Sequence, residues 1–150
     1  MLSQFVSVCA VRCALEYTRT LAPNMPQLAI GFCLGGMAVL ETAREGHALR
    51  AVVSLHGLLE IALPAAVPIS PRILVRHGDA DTLIPRAQVL ASWEEMDAVE
   101  VDWHFHSYAR VQHGFTNPHG ADGSPNPAYD ASADHHSWRA MMDFFDETLG

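Results

Sequence analysis

Positive charge is scarce in this 150-residue chain: nine basic residues stand against seventeen acidic ones, for a net charge of −8. That balance argues against nucleic acid or an anionic membrane surface as a partner. No uninterrupted apolar run reaches the roughly 20 residues that a membrane span needs. The fairly apolar start, Met1 to Leu15, lacks a basic head and is interrupted by Arg12, so it does not read as a secretory signal. Cysteine is also sparse. Cys9, Cys13 and Cys33 make an odd count without a framework, which excludes a disulfide scaffold and fits a reducing, cytoplasmic setting. Cys9 and Cys13 lie four residues apart on one face of a helix and read as small buried apolar residues. Zinc-like Cys/His spacing is missing. His104, His106, His119, His135 and His136 read as solvated polar positions, and no metal site is expected. Gly35-Gly36 follows a strand, but no Gly-Lys-Ser/Thr accompanies it, which excludes a phosphate loop. There is no internal repeat and no linker, so residues 1–150 read as a single domain long enough for a real core.

What is present is an alternation of strand and helix patterns. Phe5, Cys9, Cys13, Tyr17 and Leu21 recur every four residues and predict a first helix with that stripe buried, ended by Pro23 and Pro26. Gln27 to Phe32 reads as a short buried strand, and Gly35 to Glu45 as a helix stopped by Gly46. Ala51 to His56 is a second buried strand, followed by a loop carrying Pro64, Pro68 and Pro71. Arg72 to Arg76 is a third strand, ending at His77-Gly78. Pro85 opens a helix that runs to about Ala98. From Val99 to His106 the residues alternate. Val99, Val101, Trp103 and Phe105 face one way and Glu100, Asp102, His104 and His106 the other, the pattern of a half-exposed edge strand. Residues 109–130 form a long loop rich in Gly, Pro, Asn and Asp. A last helix begins near Asp130 or Ser132, with Trp138, Met141, Met142, Phe145 and Leu149 as its apolar face. The alternation predicts an α/β fold: a mostly parallel sheet of about four strands with flanking helices. In such sheets chemistry collects beyond the carboxyl ends of the strands. Cys33, His56, the stretch from His77 to Asp81 and the loop from Tyr108 onward all fall there.

Gly31-Phe32-Cys33-Leu34-Gly35-Gly36 sits between a strand and a helix, the context of a nucleophile elbow with a thiol in the nucleophile position. Small neighbours let the chain fold back sharply. The helix that follows directs its N–H groups and positive dipole end at the thiol, which favours thiolate. A thiol nucleophile needs a base, and the base needs an orienting partner. An acid is expected just after a strand, and both Asp79 and Asp81 qualify; either could instead serve a turn or cap a helix. His113, in the loop after the last strand, fits the base, with Gly114 removing bulk beside the imidazole.

Three segments together, Gly-Phe-Cys33-Leu-Gly-Gly, Asp81-Thr-Leu-Ile-Pro85 and His113-Gly-Phe-Thr-Asn-Pro118, resemble the dienelactone hydrolase family. Tyr129-Asp130 and the helix around Ser137-Trp138 resemble that family's C-terminal end. The resemblance covers essentially the whole chain. It implies an α/β-hydrolase fold, a Cys33–His113–Asp81 triad with Asp81 as the acid, and the Leu34 N–H in the oxyanion hole. His56-Gly57 resembles a pocket-lining segment, which makes His56 a candidate substrate-binding residue. Two departures carry consequences. The chain resembles the C-terminal part of a family member, without the N-terminal strands that supply a second oxyanion donor and an acidic residue near the thiol. The strand before Cys33 is therefore expected to have an unpaired edge that invites self-association. Dienelactone-cleaving members carry an arginine four residues after the catalytic histidine, where this chain has Asn117.

The resemblance implies a hydrolase that cleaves ester or lactone bonds of small molecules through an acyl-enzyme, with no cofactor. The alternative is an inactive remnant, or a half-domain that only binds a partner.

Overall fold

The computed structural model describes residues 2–60, 65, 68–120 and 122–150, with the side chains of residues 2–5 outside that description. The elements run α1 (Leu2–Leu21), β1 (Leu28–Phe32), α2 (Leu34–Arg44), β2 (Ala51–Leu55), β3 (Arg72–Gly78), α3 (Arg86–Ala98), β4 (Trp103–Tyr108) and α4 (Ala131–Leu149). The four strands lie in the order β1-β2-β3-β4, and every neighbouring pair is parallel. Parallel neighbours need crossovers, which α2 and α3 supply after β1 and β3. Pro64, in the connection from β2 to β3, lies outside the described residues.

The strand period of two sorts the sheet's side chains into two cores. Val52, Ile73 and Val75 pack with Leu15 of α1, Leu40 of α2 and Val89 and Met96 of α3. Ala51, Val53, Leu55 and Leu74 point the other way, onto Met141, Phe144 and Phe145 of α4. All five residues of β2 are buried, which explains why four of them are apolar, with Ser54 as the buried polar exception. Arg44 ties α2 to α3: it meets Glu95 at 2.7 Å and Glu41 at 2.7 Å, with its own side chain 3% exposed.

Several sequence expectations need correction. The buried face of α1 is Val8 and Leu15, with Val11 packed against the core, whereas Tyr17 and Leu21 are exposed. Cys13 is exposed and Cys9 only half-buried, so neither is a core residue. Phe5 has its side chain outside the described residues. The buried stripe of α4 runs through Ala133, Ser137, Met141, Phe144, Phe145 and Thr148, leaving Trp138, Met142 and Leu149 exposed. Ser137 and Thr148 tolerate burial because their hydroxyls donate to Asp134 O and Phe144 O at 2.8 and 2.7 Å. Strand β4 starts at Trp103, not Val99. Backbone N–H groups of Val99 and Val101 still bond to Glu95 and Met96 at the end of α3, and Glu100 adopts φ 52°.

Among the described residues, β1 pairs only with β2, and its outer edge carries no strand. Helix α4 contacts β2 and β3, so on β1 the side chains of Ile30 and Phe32 remain 42% and 43% exposed. No helix of the described residues is long and apolar enough to cross a membrane.

Candidate active site

Cys33 occupies the single residue between β1 and α2. Its φ of 52° and ψ of −119° lie in a region that side chains rarely adopt. Two constraints hold it there. Its N–H donates to Leu55 O of β2 at 3.1 Å. Behind it, Gly31 passes so close to the first turn of α2 that a Cβ would sit 2.0 Å from Gly35 O. The result is an exposed sulfur at the N-terminus of a helix. Leu34 is the first residue of that helix, where backbone N–H groups have no intrahelical acceptor.

His113 reaches this sulfur from the loop after β4. Its Nε2 lies 3.1 Å from Cys33 Sγ, and its Nδ1 lies 2.7 Å from Asp81 Oδ2. Asp81 is in the turn after β3 with its side chain fully buried, and its other oxygen accepts the Leu83 N–H at 2.9 Å. The carboxylate is thus fixed before it meets the imidazole. Asp79 does not take part: it is held by Arg86 at 2.9 Å on the surface side of the same turn. The loop bearing His113 is anchored by Phe115, which is fully buried, and by the Asn126 amide, which donates to Asn117 O at 2.8 Å. Gly114 turns the chain beside the imidazole at φ 73°, a conformation suited to glycine.

His56 ends β2 at φ 40° and is 4% exposed. Its ring lies edge-on to His113 at 5.2 Å and to Phe115 at 5.3 Å. Its Nε2 is 2.8 Å from Thr116 Oγ1. Burial, and then the neighbouring His113, push its pKa down to about 4, so the ring is neutral at pH 7. The resulting cleft has a volume of about 490 Å³, lined by Phe32, Cys33, His56, His113, Thr116 and Asn117, with Gly114 and Asn126 beside them. Phe32 and Thr116 lie inside the motifs around Cys33 and His113 and Asn126 in the long loop, but only the fold brings them to the cleft, with Thr116 facing His56 at the end of β2.

The order strand, tight cysteine turn, helix, acid turn after β3 and histidine loop after β4, all on one rim of a parallel sheet, is that of the α/β-hydrolase fold. A family model for the dienelactone hydrolase family matches residues 11–149, and the chain belongs to that family. It is 39% identical over 125 residues to "Uncharacterized protein K02A2.1" of Caenorhabditis elegans, covering 81% of this chain and 79% of that one. Among solved structures it resembles the dienelactone hydrolase-like promiscuous phosphotriesterase P91 from metagenomic libraries, at 38% identity and a TM-score of 0.72. That likeness covers 81% of this chain and 52% of P91. The structure called m3DLH is similar at 40% identity and a TM-score of 0.73, covering 81% of this chain and 51% of m3DLH. The chain therefore spans about half the length of these solved relatives.

Proposed function

We propose that this chain is a hydrolase of small-molecule esters or lactones that works through Cys33, His113 and Asp81. The observation that carries the reading is the unbroken succession Cys33 Sγ, His113 and Asp81, with contacts of 3.1 and 2.7 Å. An imidazole whose Nδ1–H donates to a carboxylate presents a lone pair at Nε2, the tautomer that accepts a thiol proton. In this mechanism the sulfur attacks the carbonyl carbon, and the carbonyl π electrons move to oxygen. The Leu34 N–H receives that oxyanion. His113 returns the proton to the departing alkoxide, leaving a thioester on Cys33. A water deprotonated by His113 then attacks the thioester and frees the acid. One oxyanion donor is worth about 2.7–4 kcal/mol of barrier. His56 lines the cleft as a neutral substrate-binding residue. No cofactor takes part, and a reducing cytoplasm suits the three free thiols.

The test is turnover of p-nitrophenyl acetate by the parent and by Cys33→Ala. The reading requires that the variant fall to the rate of the uncatalysed reaction, and unchanged turnover ends it. P91 is named for phosphotriesterase activity, which makes a phosphotriester the second substrate to assay. A different reading, a binding half-domain without turnover, draws on the half-length match and the open edge of β1. It requires that the parent itself show no turnover above background.

A further inference from the structure

We propose that a second cleft, between α3 and the carboxyl ends of β3 and β4, binds a small neutral phenol-class ligand with its hydroxyl on His77. The cleft has a volume of about 400 Å³ and shares no lining residue with the cleft over Cys33. It is lined by His77, Val89, Leu90, Trp93, Phe105 and Ser107, with Asp79 and Arg86 at its polar end. This size and mainly apolar lining, with few polar groups, are those of small-molecule sites.

The polar groups are of an unusual kind. His77 is 4% exposed, yet its Nδ1 has no hydrogen-bond partner among the described residues. The Trp93 Nε1–H is likewise buried and unpartnered. Buried polar groups left unpaired cost free energy until something pairs them. Neither group contributes to the triad. Arg86 is bound by both oxygens of Asp79 at 2.9 Å, so these two charges cancel and the cleft asks for no ion.

The chemistry of the ligand follows from these groups. Burial holds the His77 imidazole below the usual histidine range, which favours the neutral ring with its one donor and one acceptor. A hydroxyl matches either ring nitrogen, because it both gives and accepts a hydrogen bond. The walls are aromatic: Trp93 meets Phe105 edge-on at 5.3 Å and stacks against Trp103 at 6.2 Å. A flat ring gains most from such walls. Ring plus hydroxyl, without charge, is a phenol.

The proposal is tested by fluorine NMR titration of the whole chain with 4-fluorophenol and, separately, fluorobenzene, while backbone amide shifts locate the binding. The expected result is saturable binding of 4-fluorophenol at least tenfold tighter than of fluorobenzene, with shifted amides at His77, Trp93 and Phe105. His77→Phe should bring the two affinities to within about twofold. Should that variant fail to fold, Ser107→Trp fills the cleft from an exposed position, and should abolish binding while leaving the melting transition in place. Absent binding, equal affinity for the two ligands in the parent, undiminished binding to Ser107→Trp, or amide shifts confined to Cys33, His56 and His113 would each overturn the proposal. Because the readout is binding, it does not depend on whether the Cys33 site hydrolyses anything.

Discussion

Replacing Gly31 by alanine places a methyl carbon 2.0 Å from Gly35 O, 2.2 Å from Gly35 C and 2.5 Å from Gly36 N. Real Cβ atoms essentially never approach heavy atoms within 3.0 Å. All three obstructing atoms belong to the backbone of the first turn of α2, so no rotamer change relieves the clash. The elbow must open by about 1 Å or more, and overpacking of this kind costs about 1–3 kcal/mol, with backbone obstruction placing it at the upper end. For a chain of this size, about 3 kcal/mol lowers the melting temperature by about 6–12 °C. The same opening moves Cys33 away from His113, and a misplacement of about 1 Å can reduce turnover by about a hundredfold. Gly35→Ala is the matched control. It adds the same methyl four residues along, where nothing lies within 4 Å, and replaces a helical glycine, which raises stability by about 0.5–1 kcal/mol. Calorimetric melting and p-nitrophenyl acetate hydrolysis read both variants. If Gly31→Ala melts within about 2 °C of Gly35→Ala, the account of the elbow as a backbone-on-backbone contact is refuted.

The two acids of the turn after β3 should separate cleanly. Asp81→Asn should lower turnover by about 10²–10⁴-fold by mispositioning the His113 proton, whereas Asp79→Asn, at a surface ion pair, should change it less than about twofold. Stability should depend on pH through His56. Its folded pKa of about 4 lies below the ordinary 6.5, so the unfolded chain binds the extra proton between those values. Stability is then full above about pH 7 and falls on the order of 2 kcal/mol by about pH 5. Urea denaturation at pH 7 and pH 5 measures the fall, and His56→Gln should make it shallower. The open edge of β1, with Ile30 and Phe32 exposed, should drive concentration-dependent association visible by sedimentation. Ile30→Lys should shift the chain toward monomer, and an unchanged distribution would count against edge pairing.

The sheet was legible because its strands announce themselves twice. Ala51, Val52, Val53 and Leu55 form an apolar run interrupted only by Ser54, and chemistry-bearing residues cluster after each run. The helix faces were less legible. In α4 the core takes small or polar residues such as Ala133, Ser137 and Thr148 while Trp138 stays outside, and in α1 it takes Val8 and Leu15 while Tyr17 stays outside. Counting large apolar residues therefore rotates the stripe. That outcome depends on which helix surface the sheet leaves room for, which periodicity does not encode. Strand β4 starts later than its alternation predicts, for a local reason. Val99 and Val101 keep the alternation, but Glu100 takes a left-handed backbone and the end of α3 still holds both N–H groups.

At the site, Cys33 and His113 could be placed from the turn around one and the loop position of the other. Asp79 and Asp81 could not be separated by composition, since both sit in the same turn. The family resemblance names Asp81; in the structure Arg86 holds Asp79, whereas His113 and the Leu83 N–H meet Asp81. Arg76 went unmarked altogether. It is 2% exposed, donates to Tyr108, His106 and the carbonyl of His136, and leaves its Nε without a partner among the described residues. In the sequence it looks like one more polar residue at the end of a strand.

The central claim is that Cys33 carries the acyl group during turnover. Rapid quenching of the protein with p-nitrophenyl acetate, followed by peptide mass spectrometry, tests it most directly. One acetyl group is expected on the peptide containing Cys33, formed in the burst and lost as turnover proceeds. Turnover with acetyl only on Cys9 or Cys13, or with no acetylated peptide in the burst and undiminished rate in Cys33→Ala, would contradict it.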